Sequence, residues 1–473
     1  MTDSKLHSVL THFDKIEQNR LRKYVRSPYF NVNELLMSFL DVIFGHINAG
    51  DKAGELSKEL IWATLYQKEL YNDVRFRKLT SDLLKLIEDF LSQEQYENDA
   101  LQKASYLLNA IGEKKMEKLH KSGIKSAREI LRQQNQKPST FYYSQYLIEK
   151  SYYYMADEEL NRSEKSNVEE IINNLDHFYL AEKLKWYNTV LSRKNLISHE
   201  YQLLFIDEII NHIDKYQYKN IPPVTIYYKL FLAQTKEDEK FYFDLKEIIT
   251  AYWRQFSIIE ADYLFGSLLN YCTKKLNQGN HFFLREFHEV YKDILQKNIL
   301  INNELNPWSF KNAVLSALRL GEYDWTESYI KNYSTKLPAE FRENAVSYNL
   351  ALVYFYKKEY NKVIEQLRSV EYEDIGYNLS AKSMLLAVYY ELEVDTALQS
   401  VMESFKTYLY RHKDIPENRR ISYLNLMKYV RKLLKLNKGS KVDIDNIRKE
   451  MEEDRKIGIA SEKWILEKLA ELE

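Results

Sequence analysis

The scarcity of glycine and proline constrains the fold of this chain more than any other feature. The sequence has 11 glycines and 7 prolines among 473 residues, whereas average usage of the two, about 12%, would give roughly three times as many. Proteins with many tight turns need glycine, because it adopts positive φ values at little steric cost. The chain therefore lacks the turn residues for a sandwich, a barrel or a doubly wound sheet, and we expect an all-α fold.

The spacing of apolar residues favours helices along the whole chain. Over 73–90 they recur every three or four positions, which places them on one helix face. This stripe comprises Phe76, Leu79, Leu83, Leu84, Leu86, Ile87 and Phe90. Asn72 and Asp73 precede it and supply a cap for the free N–H groups of the first turn. Stripes in the first part of the chain follow no fixed spacing, so we predict an irregular N-terminal helical domain over 1–160.

From about residue 175 the apolar stripes come in pairs separated by very short turns. Long helices joined by short turns must pack antiparallel, and successive pairs of this length are typical of an α-solenoid. The predicted pairs are 176–193 with 199–215, 224–233 with 239–254, 258–277 with 281–296, 307–320 with 323–336, 340–357 with 360–369, and 379–392 with 394–410.

Two of these pairs align when Tyr323 is matched with Tyr360, 37 residues later. Both units have a tyrosine at the start of the second helix and a residue pair, clearest as leucine and alanine in the second unit, within the first helix. The first unit also has a large residue near the start of its first helix, a turn glycine, a small and then a large apolar residue in its second helix, and a closing proline. The residues concerned are Phe310, Ala313, Val314, Leu350, Ala351, Gly321, Thr326, Ile330 and Pro338. This pattern resembles the tetratricopeptide repeat, most clearly over 307–410.

The tetratricopeptide resemblance implies a non-catalytic, protein-binding scaffold that holds its partner on the concave side, along the first helix of each unit. On that side we expect aromatic and basic residues suited to an acidic peptide or a C-terminal carboxylate. The expected partner-binding residues are Trp308, Lys311, Arg319, Tyr348, Phe355 and Tyr356, with Leu315 and Leu352 between them.

The same reasoning divides the chain after its first domain. A divergent helical-repeat region is expected over 161–305, tetratricopeptide-like repeats over 306–415 and capping helices over 416–473. A solenoid needs a cap to cover its last apolar face. The apolar residues expected to form that cap are Trp464, Ile465, Leu466, Leu469 and Leu472.

Tyrosine is unusually frequent, with 39 residues. Tyrosines can form an adhesive binding surface, because each offers a large contact area at a small entropic cost. They can equally fill the grooves between packed helices and leave their hydroxyls at the rim. For any single tyrosine the second interpretation is favoured.

Motifs that carry chemistry are scarce. No glycine-rich loop matches a phosphate-binding pattern, and HExxH is absent. His281 and His288 lie two helical turns apart with Glu286 and Glu289 nearby, but a metal needs a third well-placed ligand. Ser122 to Lys125 matches SxxK without the companion motifs of that enzyme class. We therefore predict no enzyme activity, no metal and no cofactor.

Two locally basic segments leave a nucleic-acid-associated regulator as the alternative function. The segment 113–137 contains eight Lys/Arg and three Glu, and the segment 411–441 contains ten Lys/Arg and two acidic residues. The N-terminal domain adds Arg75, Arg77 and Lys78. Basic and aromatic side chains together suit phosphate pairing and base stacking. The whole chain, however, has a formal net charge of −1, so no global field attracts nucleic acid.

The cellular compartment of the protein is indicated by its cysteine use and by the length of its apolar runs. Cys272 is the only cysteine, so no intrachain disulfide forms and a cysteine-based zinc site is excluded. The N-terminal residues do not form a secretory signal, and no apolar run reaches 18 residues. We expect a cytoplasmic protein.

Overall fold

A computed structural model describes residues 4–50, 54–67, 69–156, 167–194, 201–368 and 375–473. The chain is 80% helical, with 23 α-helices and no strand in these ranges. The predicted all-α class is therefore confirmed. The chain separates into two compact units, Met1–Lys183 and Leu184–Glu473. The predicted boundary at 160/161 lies outside the described residues, and the finer division into four regions stays a prediction.

The first unit is built from eight helices and the start of a ninth. They are α1 (Lys5–Thr11), α2 (Lys15–Arg26), α3 (Glu34–Ala49), α4 (Lys58–Tyr66), α5 (Asp73–Asn98), α6 (Ala100–Glu113), α7 (Glu117–Gln133), α8 (Ser139–Ala156) and α9 (Val168–Lys194). Side chains of α1 to α5 enclose one apolar core, while α6, α7 and α8 pack against one another.

The long helix α5 shows how the local sequence produces these elements. Asn72 Oδ1 accepts a hydrogen bond from Arg75 N at 3.0 Å, so the predicted cap satisfies one of the donors that a helix start leaves free. The predicted stripe is buried through Phe76, Leu83 and Phe90, whereas Leu84 and Leu86 are partly buried at its edge.

The second unit contains the rest of the helices. After the end of α9 come α10 (Ile206–Tyr216), α11 (Pro222–Thr235), α12 (Lys240–Tyr252), α13 (Ile258–Asn277), α14 (Phe282–Gln296), α15 (Pro307–Arg319), α16 (Tyr323–Tyr333), α17 (Ala339–Tyr356), α18 (Tyr360–Arg368), α19 (Ile375–Glu391), α20 (Asp395–Arg411), α21 (Glu417–Leu433), α22 (Lys441–Asp454) and α23 (Glu462–Leu472).

These helices form successive hairpins, and their first helices also contact one another. Within hairpins, α11 packs on α12, α13 on α14, α15 on α16, α17 on α18, and α19 on α20. Between hairpins, α15 contacts α17, α17 contacts α19, and α19 contacts α21. We call α15, α17, α19 and α21 the first-helix layer. This arrangement agrees with the predicted solenoid-like stack of helix pairs.

One turn geometry recurs between the two helices of three consecutive hairpins. Gly321, Lys358 and Glu393 each have a positive φ, of 80°, 60° and 54°. The next residue donates its N–H to a carbonyl five positions earlier, from Glu322 to Ala317 in the first hairpin. The same bond joins Glu359 to Tyr354 and Val394 to Tyr389. Each hairpin thus uses the helix-ending motif that usually requires glycine, even where the sequence has none.

Overpacking at Ala351 tests whether α17 packs closely as a repeat helix. Ala351 is fully buried, so Ala351→Leu is expected to lower the free energy of unfolding by about 1–3 kcal/mol, because the extra methyl groups displace neighbouring side chains. Urea unfolding measures the change. Lys357→Ala is the control, since its pair with Glu327 is exposed and worth at most about 1 kcal/mol. Equal stability of both variants and the parent would contradict close packing of this helix.

The helices after Pro416 close the apolar core behind α19 and α20. Ile465 and Leu469 of α23 are fully buried in a cluster that includes Leu386, Phe405 and Leu426. Trp464 is buried there too, and Leu466 and Leu472 pack against the edge. The five residues predicted to form a cap therefore pack on the apolar core shared by α19, α20 and α21.

Candidate functional site

A lysine surrounded by aromatic rings connects three hairpins of the first-helix layer. Lys311 of α15 donates through Nζ to Ser380 Oγ of α19 at 3.1 Å. The same ammonium lies 5.1 Å from the ring centre of Trp308, 5.0 Å from Tyr348 and 5.4 Å from Tyr377. A cation within about 6 Å of an aromatic face is attracted by the ring quadrupole. We call these five residues the lysine–aromatic cluster.

The rings of the cluster also pack on one another. Tyr377 lies 5.2 Å from Trp308 and, edge to face, 5.0 Å from Tyr348. Its hydroxyl donates to the Pro307 carbonyl at 3.0 Å. Tyr348 is only 2% exposed, whereas Trp308 is 39% exposed. The cluster therefore has a buried base, which joins α15, α17 and α19, and an open edge at Trp308.

The other three predicted residues belong to a second group, near the ends of α15 and α17. Arg319 is exposed and Tyr356 half-buried. Burial raises the pKa of Tyr356, the charge of Arg319 opposes that rise, and the charge of Glu467 adds to it. Phe355 is partly buried against the apolar cluster closed by α23.

The structure thus groups Trp308, Lys311 and Tyr348 together, and the charge of Arg319 acts on Tyr356. Tyr377 and Ser380 complete the first group and were missed by the sequence analysis. The apolar pattern predicts the start of this helix at residue 379, whereas α19 begins at Ile375. The 37-residue spacing does not point to these two residues, because Lys311 advanced by two repeats falls on Leu385.

Helix α23 lies on the same layer through a buried ion pair. Lys468 Nζ contacts Glu391 Oε1 at 2.9 Å, with side chains 8% and 14% exposed. The Trp464 indole N–H donates to Glu391 at 2.8 Å, and its ring meets Tyr390 edge to face at 5.4 Å. Helix α23 therefore packs onto α19 through Trp464 and Lys468.

Several cations of the basic segments pair with acidic side chains of the same unit. In 411–441, Lys428 contacts Glu450 at 2.6 Å and Asp454 at 2.8 Å, and Lys432 also pairs with Glu450. In the first unit, Arg75 pairs with Glu69, Arg77 with Asp73, and Arg22 with Asp41. Such pairs neutralise positive charge locally and reduce the number of cations offered to phosphates.

The two histidines singled out in the sequence lie in different surroundings. His288 is fully buried, with Nδ1 3.3 Å from Ser316 Oγ and its ring 4.5 Å from Trp325. His281 precedes the first residue of α14. Across the ranges that the structure describes, no group of three His, Cys, Asp or Glu side chains is placed to hold a metal ion.

The burial of His288 predicts a loss of stability in acid. Burial lowers the pKa of this imidazole from 6.5 to about 4, so between those values the unfolded chain binds a proton that the folded chain does not. Stability from this residue is complete above pH 6.5 and declines as the pH falls towards 4. We expect a loss of about 2 kcal/mol between pH 7.5 and pH 5.

Urea unfolding at the two pH values measures this effect, and His288→Phe is the variant that should remove it. His12, which is exposed on the first unit, provides the control through His12→Phe. A loss between pH 7.5 and pH 5 that is equal in the His288 variant and the parent would contradict the assignment.

Hydropathy and comparison add two findings. Among the described helices, none is both long and apolar enough to cross a lipid bilayer. No protein-family model matches the chain, and no curated protein and no solved structure matches it either.

Proposed function

We propose that the chain is a non-catalytic scaffold that binds a protein or peptide partner on the first-helix layer of its second unit. The observation that carries this proposal is the lysine–aromatic cluster. It draws side chains from three successive hairpins into one place and leaves Trp308 open to solvent. A half-exposed tryptophan on a rigid base is the kind of residue that anchors an interface.

The repeat class belongs to the same proposal. We infer a tetratricopeptide-like repeat over 307–410, supported by the hairpin stack and by the recurrent turn at Gly321, Lys358 and Glu393. In that class partners bind along the first helices. Exposed Arg319 and the partly covered Lys311 favour a partner with acidic groups, because charge complementarity speeds association and selects the partner.

The alternative, a nucleic-acid-associated regulator, receives less support. Its basic segments are the ones whose side chains pair with Glu and Asp, as Lys428 does with Glu450 and Asp454. A cytoplasmic location stays a prediction from cysteine use and composition.

The double variant Trp308→Ala/Arg319→Ala tests the proposed surface. Both side chains are exposed, so the fold should persist while affinity for the natural partner falls at least thirtyfold, the effect of losing one anchor worth about 2 kcal/mol. The partner is first isolated with the wild-type chain and its affinity then measured by calorimetry.

Tyr410→Ala provides the matched control, because Tyr410 is 58% exposed on the second helix α20. It should leave the affinity unchanged. A partner that binds the double variant as tightly as the parent would place the binding site elsewhere, with Arg419 to Lys441 as the next surface to test.

A further inference from the structure

Helix α23 packs on the first-helix layer through one face, as a bound peptide helix would. It has 11 residues, and its buried side chains are Trp464, Ile465, Lys468 and Leu469. These positions form one helical face. The face combines an aromatic residue, two aliphatic residues and one cation, and that cation is neutralised by Glu391 of α19.

Contacts along α23 show its direction and the groove it fills. Ser461 Oγ lies 2.9 Å from Ser383 Oγ near the start, and Lys468 reaches Glu391 further along α19. On the other side, Ala460 N donates to Ser422 O at 3.0 Å. Gly439 N donates to Leu472 O at 2.8 Å, beyond the end of α21. Helix α23 thus runs in the direction of both α19 and α21 and lies alongside them.

Local features give α23 little stability of its own. Its first residue is preceded by Ser461 at a φ of 53°, and no side chain caps the helix start. An isolated helix shorter than about 12–15 residues is marginal in water. The preceding turn contains Gly458 at a φ of 125°, a conformation that glycine adopts without steric penalty. Contacts with α19 and α21 therefore hold α23 in its helical form.

We propose that the groove along α19 and α21 is a helix-binding site that α23 occupies in cis, and that a partner helix of the same chemistry displaces α23. This inference rests on the proposed scaffold function and adds a helix with one cation to the acidic groups already proposed for the partner. The partner is an amphipathic helix with a tryptophan, an aliphatic residue directly after it, and a lysine or arginine four positions after the tryptophan. Its cation pairs with Glu391, and its indole N–H donates to the same carboxylate.

The geometry of Ser383 and Ser461 offers a direct test. Their oxygens are 2.9 Å apart, so Ser383→Cys/Ser461→Cys should form a disulfide that ties α23 in place. The natural Cys272 is buried and will not interfere. The probe is a fluorescent peptide of residues 459–473, added to the full chain. We expect the oxidised variant to bind the peptide at least tenfold more weakly than the reduced variant, while the wild type is insensitive to reductant.

A second pair of full-length variants makes the test independent of disulfide formation. Trp464→Ala/Leu469→Ala weakens α23 in cis and should bind the peptide at least tenfold more tightly than the wild type. In that background, Glu391→Lys should abolish binding of the natural peptide and restore binding of a peptide carrying Lys468→Glu. Lys463→Glu in the peptide is the matched control, since the Lys463 side chain is 78% exposed, and it should bind normally.

Equal peptide affinity for the wild type, both states of the cysteine variant and the Trp464/Leu469 variant would overturn the inference and leave α23 as a fixed cap. That result would leave the proposed function standing. The proposed function fails only if the natural partner binds Trp308→Ala/Arg319→Ala as tightly as the parent. Conversely, a partner could bind this double variant with unchanged affinity and yet fail to bind the oxidised cysteine variant. That result would support the inference and place the partner's binding site in the groove along α19 and α21.

Discussion

Truncating Tyr348 to alanine is expected to lower the free energy of unfolding of the second unit by about 3–5 kcal/mol, the range for deleting a buried aromatic side chain. Tyr348 is 2% exposed, and its ring packs against both Lys311 and Tyr377. Its removal opens a cavity between α15, α17 and α19 and takes away one of the rings that surround the Lys311 ammonium.

Urea unfolding followed by circular dichroism measures this loss. Tyr410→Ala, at a 58% exposed tyrosine of the same unit, should change stability by less than about 0.5 kcal/mol. Tyr348→Phe should retain most of the stability, because the ring remains. A Tyr348→Ala variant as stable as the Tyr410 variant would mean that Tyr348 does not fill the space between the first helices.

Replacing Arg128 by alanine is expected to destabilise the first unit by about 3 kcal/mol. Arg128 donates from Nε to Glu149 at 2.8 Å and from its terminal nitrogen at 2.6 Å. The Glu149 side chain is only 5% exposed. The Arg128→Ala variant removes both Arg128 hydrogen bonds and keeps the one that Asn167 donates to Glu149 at 2.9 Å. A buried carboxylate without its cation is strongly unfavourable.

Arg132→Ala on the same helix is the matched control. That side chain is 75% exposed and pairs with Glu129 three residues earlier, so its loss should change the free energy of unfolding by less than about 1 kcal/mol. Similar small effects of both substitutions would contradict the structural role of Arg128. A large effect at Arg128 alone would show that Glu149 engages this cation, so that one of the eight cations of 113–137 is not available to nucleic acid.

The sequence predicts the helices of this fold well because their causes are local. Apolar spacing and caps such as Asn72 act within a few residues, and the predicted pairs from 224 to 410 agree with α11 to α20 within a few residues at most ends. The repeated turn was less visible. Of the three turns, only the first has glycine, Gly321, at the position with a positive φ. The sequence does not reveal that Lys358 and Glu393 adopt the same conformation.

The candidate surface is harder to predict because it depends on contacts between distant residues. Helical periodicity places Tyr348, Leu352 and Phe355 on one face of α17, but it does not show whether neighbouring helices cover that face. In the structure α15 and α19 cover most of it, so Tyr348 and Leu352 are buried. Tyr348 therefore fills the groove between helices, the interpretation favoured for a single tyrosine, and is not a side chain free for a partner.

The cap illustrates the same limit. Apolar spacing over 462–472 indicates a covering helix, and Trp464, Ile465 and Leu469 are indeed buried. The pairing of Lys468 with Glu391 spans 77 residues, and nothing local in the sequence indicates it. A lysine at a buried helix position was the available signal, because such a lysine needs an acidic partner.

Site-specific photo-crosslinking tests the central claim, that the first-helix layer binds the partner, most directly. A photoreactive phenylalanine analogue replaces Trp308 in one version of the chain and Tyr410 in another, and each version is irradiated with the purified natural partner. We predict a crosslinked product at position 308 that is lost when an excess of wild-type chain competes for the partner, and none at position 410. Crosslinking at position 410 alone, or at neither position while the partner remains bound, would contradict this assignment.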